Sequence, residues 1–279
     1  MKKISSITTK EKKELINFLK KNHEFQLSKK KYNFLFSPHW TKKKELGLVV
    51  RHKKEIVGFL GLLFSDNNFY KNTKINIINI HTWVVKKEFR YLSLDLLKEL
   101  EKIDGILINH SSLIKLKEIF IKFGWEILEE YFYFIPVNFF SKIRLDYNFN
   151  LPSDKKKRKI INDHIKTGCN YINIKLKNVD LVLIINIRKK LIFKISEIVY
   201  ISNNELFNEN IKQISKLLFK KYNIIFLKID SRFINKKNIK NLEILKFKYK
   251  TRLKLFKNNK KTKVNKSLIS NLYSEFQLI

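Results

Sequence analysis

The spacing of apolar residues switches repeatedly between helical and strand periods. Leu15, Ile16, Phe18 and Leu19 recur at helical spacing and predict a first helix over residues 10 to 22. The stretch "FLFSPHW" follows without a period. "LGLVVRHKKEIVGFLGLLFS" reads as two strands around the charged turn "RHKKE". "INIINIHTWVV" is a further strand, apolar enough to lie centrally. "VVKKEFRYLSLDLLKEL", residues 84 to 100, leaves a strand and enters a helix with Leu94, Leu97 and Leu100 on one face. "GILINHS" is the next strand. "LIKLKEIFIKF" is a helix stopped by Gly124, a residue suited to a left-handed C-cap. "WEILEEYFYFIPV" closes this half as a strand.

"PSDKKKRKIINDH" is polar and basic and predicts a joint near residue 150. Beyond it "YINIKL", "VDLVLIIN" and "LIFKISEIVYIS" read as strands, residues 204 to 221 as a helix, "IIFLKID" as a strand, "KKNIKNLEIL" as a helix and "YKTRLKLF" as a last strand. The two halves share their element order. "IFIKFGW" matches "EILKFKY", with Phe123 and Phe247 separated by 247 − 123 = 124 positions, and Val84 and Val199 by 199 − 84 = 115. The reading is an α/β protein with a mixed central sheet flanked by helices, present as two tandem copies. Strand–helix–strand crossovers put helices on the sheet faces. The expected segments are 1–145, 156–256 and a basic tail 257–279 with a short terminal helix.

Composition changes this picture in two ways. The single Cys169 excludes an internal disulfide and a cysteine zinc cluster. That fits a reducing compartment, and the start "MKKISSITTKEKK" has no apolar core of a signal peptide, so a cytoplasmic location is expected. No uncharged apolar run reaches the roughly 18 residues of a membrane span. The net charge of +34 suggests an anionic partner. Yet there are seven Arg among 59 basic residues, and Lys, Asn and Ile rise together, as an AT-rich coding sequence would produce. Arg forks are the usual readers of nucleic acid.

The elements in this order resemble the GNAT (N-acetyltransferase) superfamily. The resemblance rests on "EIVGFLGLLFS" for the paired strands, "TWVVKKEFRYLSLDLL" for the cofactor turn, "LINHSS", and "IFIKFGW". It covers residues 1 to 140 well and the second half in outline. It implies an acetyl-CoA or other acyl-CoA cosubstrate lying where the central strand parts from its neighbour, with the pyrophosphate at the crossover-helix N-terminus. The family pattern there is Gln or Arg, two residues, Gly, one residue, then Gly or Ala. This chain has Arg90, Tyr91, Leu92, Ser93, Leu94 and Asp95. Arg90 matches, Ser93 is small, and Asp95 is a departure that repels phosphate. The implied cofactor contacts are Val84, Val85, Arg90 to Leu94, Asn109 and Ser111.

Amine acylation needs a base, and an acid for the leaving thiolate. The family's usual Tyr is replaced by Phe120, so Tyr131 or Tyr133 is the expected acid. His81, in the central strand, is the expected base. A strand His satisfied by a carbonyl is the alternative. His39 and Trp40 suggest an acceptor-side lid or a core piece. His110, Ser111 and Ser112 suggest a pantetheine arm or a helix cap. His164 and Cys169 are too few for a closed zinc site.

From Ile244 to Ser274 there are ten basic residues and no acidic one. "KFKYKTRLKLF" interleaves aromatics with cations, as an RNA-binding strand does, or alternates as a solvated terminal strand. The resemblance thus implies acyl transfer from acyl-CoA to a small-molecule amine or hydroxyl acceptor, such as a sugar precursor of surface polysaccharide. Two other readings stand beside it. One is an aminoacyl-tRNA-dependent transferase of the tandem type, with tRNA as partner. The other is a non-catalytic GNAT-like scaffold.

Overall fold

The computed structural model describes all residues except 1, 24–26, 71–72, 140–141, 177–178, 191, 236–243, 260–263, 267–268 and 276–279, and the side chains of 2, 30, 66–70 and 73–75. The strands are β1 (Lys2–Thr8), β2 (Glu45–His52), β3 (Glu55–Tyr70), β4 (Thr73–Val85), β5 (Ile106–Leu113), β6 (Glu126–Glu129), β7 (Tyr131–Pro136), β8 (Asp146–Asn148), β9 (Asn170–Leu176), β10 (Val179–Lys190), β11 (Phe193–Ile201), β12 (Ile224–Asp230), β13 (Leu245–Lys248) and β14 (Arg252–Asn258). The helices are α1 (Lys12–Asn22), α2 (Lys29–Leu35), α3 (Ser93–Leu100), α4 (Lys117–Lys122), α5 (Lys155–Ile165) and α6 (Asn204–Tyr222).

They build two sheets of seven strands, in the orders β1-β2-β3-β4-β5-β14-β6 and β13-β7-β12-β11-β10-β9-β8. Read from β1 and from β8, the orders are the same, and the tandem reading holds at the level of elements. Each sheet is mixed and contains a parallel pair, β4 with β5 and β11 with β12, crossed by α3 and α6. One strand comes from outside its sheet's run: β14 enters the first sheet, whereas the second sheet takes β7 to β13 from one stretch of the chain.

The compact units follow that exchange. The first comprises 1–126, 254–264 and 273–279, and the second 127–253 and 265–272. These divisions differ from the expected 1–145, 156–256 and 257–279, because the chain crosses between sheets at places that no local pattern marks. "WEILEEYFYFIPV" is accordingly two strands. Glu129 breaks it, its carboxylate accepting the N–H groups of Glu130 and Tyr131 at 3.0 Å each.

The expected joint at 152–164 is instead α5. Asp154 caps it by accepting from Lys156 N and Lys157 N, and Ile161 is buried. β1, α2 and β8 had no counterpart in the sequence reading. Most of the helix expected in "KKNIKNLEIL" lies outside the described residues, and Leu245 opens β13. Phe123 caps α4 while Phe247 sits in a strand, so that letter match is not a structural one. Val84 and Val199 do lie in corresponding strands, β4 and β11. The expected terminal helix is not found over 269–275, where Ile269, Leu272 and Tyr273 are buried in turns.

The second unit's core places Ile172, Ile174, Leu181, Leu183, Ile185 and Ile198 of the sheet under Phe207, Ile211, Ile214 and Leu218 of α6. At about 25 cal/mol per Å² of apolar surface removed from water, such a face supplies most of the driving force for docking the helix. No helix of the described residues is long and apolar enough to cross a membrane.

Candidate functional site

In the first unit β4 and β5 pair only through Ile77–Asn79 and Ile106–Ile108. β4 then runs on to Val85 and β5 to Leu113, and among the described residues no further rung joins them. A fork results. On its other side β4 stays paired with β3, with a register shift: Leu60 faces Trp83 and Gly61 faces His81. Thr82 is the extra residue, at φ 47°, and a one-residue bulge of this kind turns side chains and backbone groups out of the ladder.

His81 lies inside this fork's wall rather than in open space. It is buried, its ring 6.0 Å from Phe36 and 6.3 Å from Phe59. A Cβ at Gly61 would stand 2.6 Å from His81 Nδ1, so only glycine lets the ring lie there. Nδ1 is 3.0 Å from Thr82 Oγ1, and Nε2 is buried without a partner. Burial pushes the imidazole pKa down to about 3. The ring is therefore neutral at physiological pH and holds a transferred proton poorly, which weighs against the expected base.

The expected cofactor turn is wound up. Residues Lys87–Leu92 form a 3₁₀ segment that continues into α3, and the Ser93 N–H is bonded to Arg90 O. Ser93 thus does not open a helix with unsatisfied donors. Arg90 and Tyr91 are exposed, Leu92 is buried and Leu94 is 43% exposed. The buried stripe of α3 is Leu96, Leu97 and Leu100, not one that begins at Leu94. Val84 is buried and Val85 half-buried, opposite Phe59 and Gly58. Lys86 is paired with Glu55 at 3.5 Å.

On β5, Asn109 accepts from the Ser111 N–H at 3.1 Å, and the Ser112 hydroxyl is buried without a partner. Trp83 packs on Phe120, and Phe120 on Trp125, with centroids 5.8 and 5.0 Å apart. Tyr131 lies elsewhere: β7 belongs to the second sheet, where Lys246 Nζ is 4.0 Å from its ring centroid. Tyr133 is in the second unit's core.

Sequence reasoning missed what the C-terminal segment does. Asn79, on the last rung before the fork, donates to Tyr273 O at 2.9 Å, and Trp40 packs against the Tyr273 ring at 5.2 Å. Trp40 is thus core, while His39 is exposed. A cavity of about 190 Å³ lies nearby, lined by Phe36, Ser37, Pro38, Leu62 and Phe64 among others.

The second unit has the same fork with different contents. β11 also carries a bulge, at Val199, and leaves β12 after Glu197. Val199 O accepts from Asn271 N at 3.2 Å. Asn271 Nδ2 donates to Asp230 Oδ2 at 3.0 Å, and Arg232 Nη2 donates to Asn271 Oδ1 at 2.9 Å. Arg232 also pairs with Asp230 at 3.1 Å, both side chains being buried. Tyr249 OH donates to Asp230 Oδ1 at 3.0 Å, and burial beside that carboxylate holds its pKa far above the usual range. At the head of α6, Asn203 accepts from Glu205 N and Leu206 N. The second fork is thus filled by the chain itself, and its helix terminus is capped.

His164 Nδ1 lies 2.8 Å from Ile160 O, and burial raises the Cys169 thiol pKa. Both serve the end of α5.

No family model and no curated protein matches the sequence. Solved structures do. A GCN5-related N-acetyltransferase from Anabaena variabilis ATCC 29413 superimposes with TM-score 0.63 at 11% identity, covering 93% of this chain and 73% of that one. A protein of Enterococcus faecalis V583 described as a probable N-acyltransferase gives 0.58 at 10% identity, covering 93% and 72%. Eis1 from Mycobacterium abscessus gives 0.53 at 9% identity, covering 93% and 74%. The fold is the GNAT-like fold, in two tandem copies.

Proposed function

We propose that the first unit transfers an acyl group from acyl-CoA to a small molecule bearing an amine or hydroxyl. The observation that carries the reading is the β4/β5 fork with its bulge at Thr82, in a chain whose other fork is closed. Backbone groups of Trp83 to Val85 that find no partner on β5 are suited to an amide-bearing pantetheine arm. Arg90 and Lys87, both exposed, supply charge for the diphosphate without the usual glycine loop. Asp95 opposes them.

His81 is a positioning group in this scheme. Its neutral ring orients the Thr82 hydroxyl at the bulge, and the acceptor arrives unprotonated. The dependence of kcat/KM on pH then follows the acceptor's own amine and shows no inflection near 6.5. With no Tyr at Phe120, the donor in this scheme is the Ser112 hydroxyl, buried on β5 without a partner.

Calorimetric titration of acetyl-CoA into the whole chain tests the reading, beside Arg90→Ala. Micromolar binding, weakened about tenfold by the variant, is expected, since a charge-assisted phosphate contact contributes roughly that much. No binding to either protein overturns it.

A further inference from the structure

Beyond its last rung with β5, β4 carries Trp83 and Val85 on the face that α3 and α4 cover. Residues two apart on a strand share a face. Gly58, the partner of Val85, lies under Leu96 of α3, whose Cδ1 is 3.5 Å from where a Cβ would stand. Trp83 meets α4 instead. Its ring is set edge-on to Phe120, with centroids 5.8 Å apart and planes at 75°. Because α4 follows β5 in the chain, the Trp83 ring reaches from one prong of the fork toward the other and lies across the gap on this face. Phe120 in turn meets Trp125 edge-on at 5.0 Å and 78°, and both are buried. The Trp83 ring is therefore held from behind.

Two indole N–H groups sit in this ladder, on Trp83 and Trp125, and both are enclosed without an acceptor among the described residues. An enclosed donor left unpaired is costly. Rings kept at that cost are placed for the space they fill. The rest of the fork's closed end is filled as well. The opposite face holds the His81 ring against Phe36 and Phe59. Asn79 is tied to Tyr273 O at the apex, and Asn109, His110 and Ser112 of β5 are buried. Of these side chains Trp83 alone is half-buried, at the point where packed interior meets the open part of the fork.

A pantetheine arm that enters from Arg90 passes Val85 and then meets this ring. We propose that Trp83 ends the acyl channel, so that the donor is an acyl-CoA with a short acyl group, acetyl or propionyl, and medium-chain acyl groups are refused. Trp83 thereby adds the class of acyl group to the acyl-CoA reading above, on which its role rests. Packed interiors yield little to added methylenes. One methylene too many in a fitted pocket is worth roughly 10–200-fold in discrimination.

Calorimetric titration of CoA, acetyl-CoA, butyryl-CoA and octanoyl-CoA into the whole protein tests this. Acetyl-CoA is expected to bind as tightly as CoA, and octanoyl-CoA about tenfold or more weakly, with butyryl-CoA between them. Trp83→Ala raises the affinity for octanoyl-CoA relative to acetyl-CoA by about tenfold. Trp83→Leu, which keeps an apolar contact with Phe120, shifts that ratio the same way by less, and carries the test if Trp83→Ala does not fold. Arg90→Ala weakens all four ligands alike and leaves the ratio where it was. Octanoyl-CoA bound by the wild type as tightly as acetyl-CoA overturns the role of Trp83 and leaves the acyl-CoA reading standing. So does a discrimination that neither Trp83 variant alters. Failure of all four ligands to bind overturns the acyl-CoA reading itself, and the role of Trp83 with it.

Discussion

Both units bulge the strand ahead of the crossover helix, and both part that strand from its parallel neighbour. In the first unit the strands beyond the fork carry orphaned polar atoms on Trp83 and Ser112. In the second, Asn271 is bonded to Val199 on one strand and to Asp230 and Arg232 at the end of the other. The backbone device is common to both, and the contents decide whether a ligand has anywhere to go. The helix heads differ in the same sense. α6 is capped by Asn203, whereas α3 has no side-chain cap and grows out of a 3₁₀ segment.

The largest test of that contrast is Asp230→Ala. It leaves Arg232 buried without its counter-charge and costs about 3–5 kcal/mol in urea unfolding. A loss under about 1 kcal/mol shows that the network does not hold the second fork shut. The first fork breaks through Gly61→Ala. The new methyl overlaps the His81 ring, and about 3 kcal/mol of stability is lost.

His81 supplies the next effect, through pH. Its folded pKa of about 3 lies below the unfolded value of 6.5, so the unfolded chain takes up the proton first. Stability is full above about pH 6.5 and falls as the pH drops toward 3. Between pH 7 and 5 the wild type loses about 2 kcal/mol more than His81→Gln, read from urea midpoints. Equal losses place the imidazole in water. The smallest effect is Asn203→Ala, which uncaps α6 and costs about 1 kcal/mol without creating cofactor binding in the second unit.

The sequence carried the strands and crossover helices well, because each shows its period locally. It carried the fork residues His81, Val84 and Asn109 as members of the right strands. It did not carry their environment: His81 is neutral because Phe36, Phe59 and Gly61 enclose it, and those come from two other elements. α5 was legible after all, through Asp154 followed by Ile160 and Ile161, but its lysines made it read as a linker. The Asp230–Asn271 contact spans 41 residues and leaves no local trace. Nor does a strand announce which sheet it will join, so Tyr131 was placed in the wrong one.

The sheet order also has a consequence in time. Synthesis delivers the chain from its N-terminus at about 5–20 residues per second. β5 and β6 are complete when residue 129 emerges, but β14, which lies between them, ends at residue 258. At such rates the nascent first sheet waits about 6–25 s for an interior strand. Throughout that interval β5 and β6 each present an unpaired edge, which is where foreign strands add. A chain released from denaturant has every strand available at once and meets no such delay. Yield from the ribosome and yield from refolding are therefore separate properties of this topology.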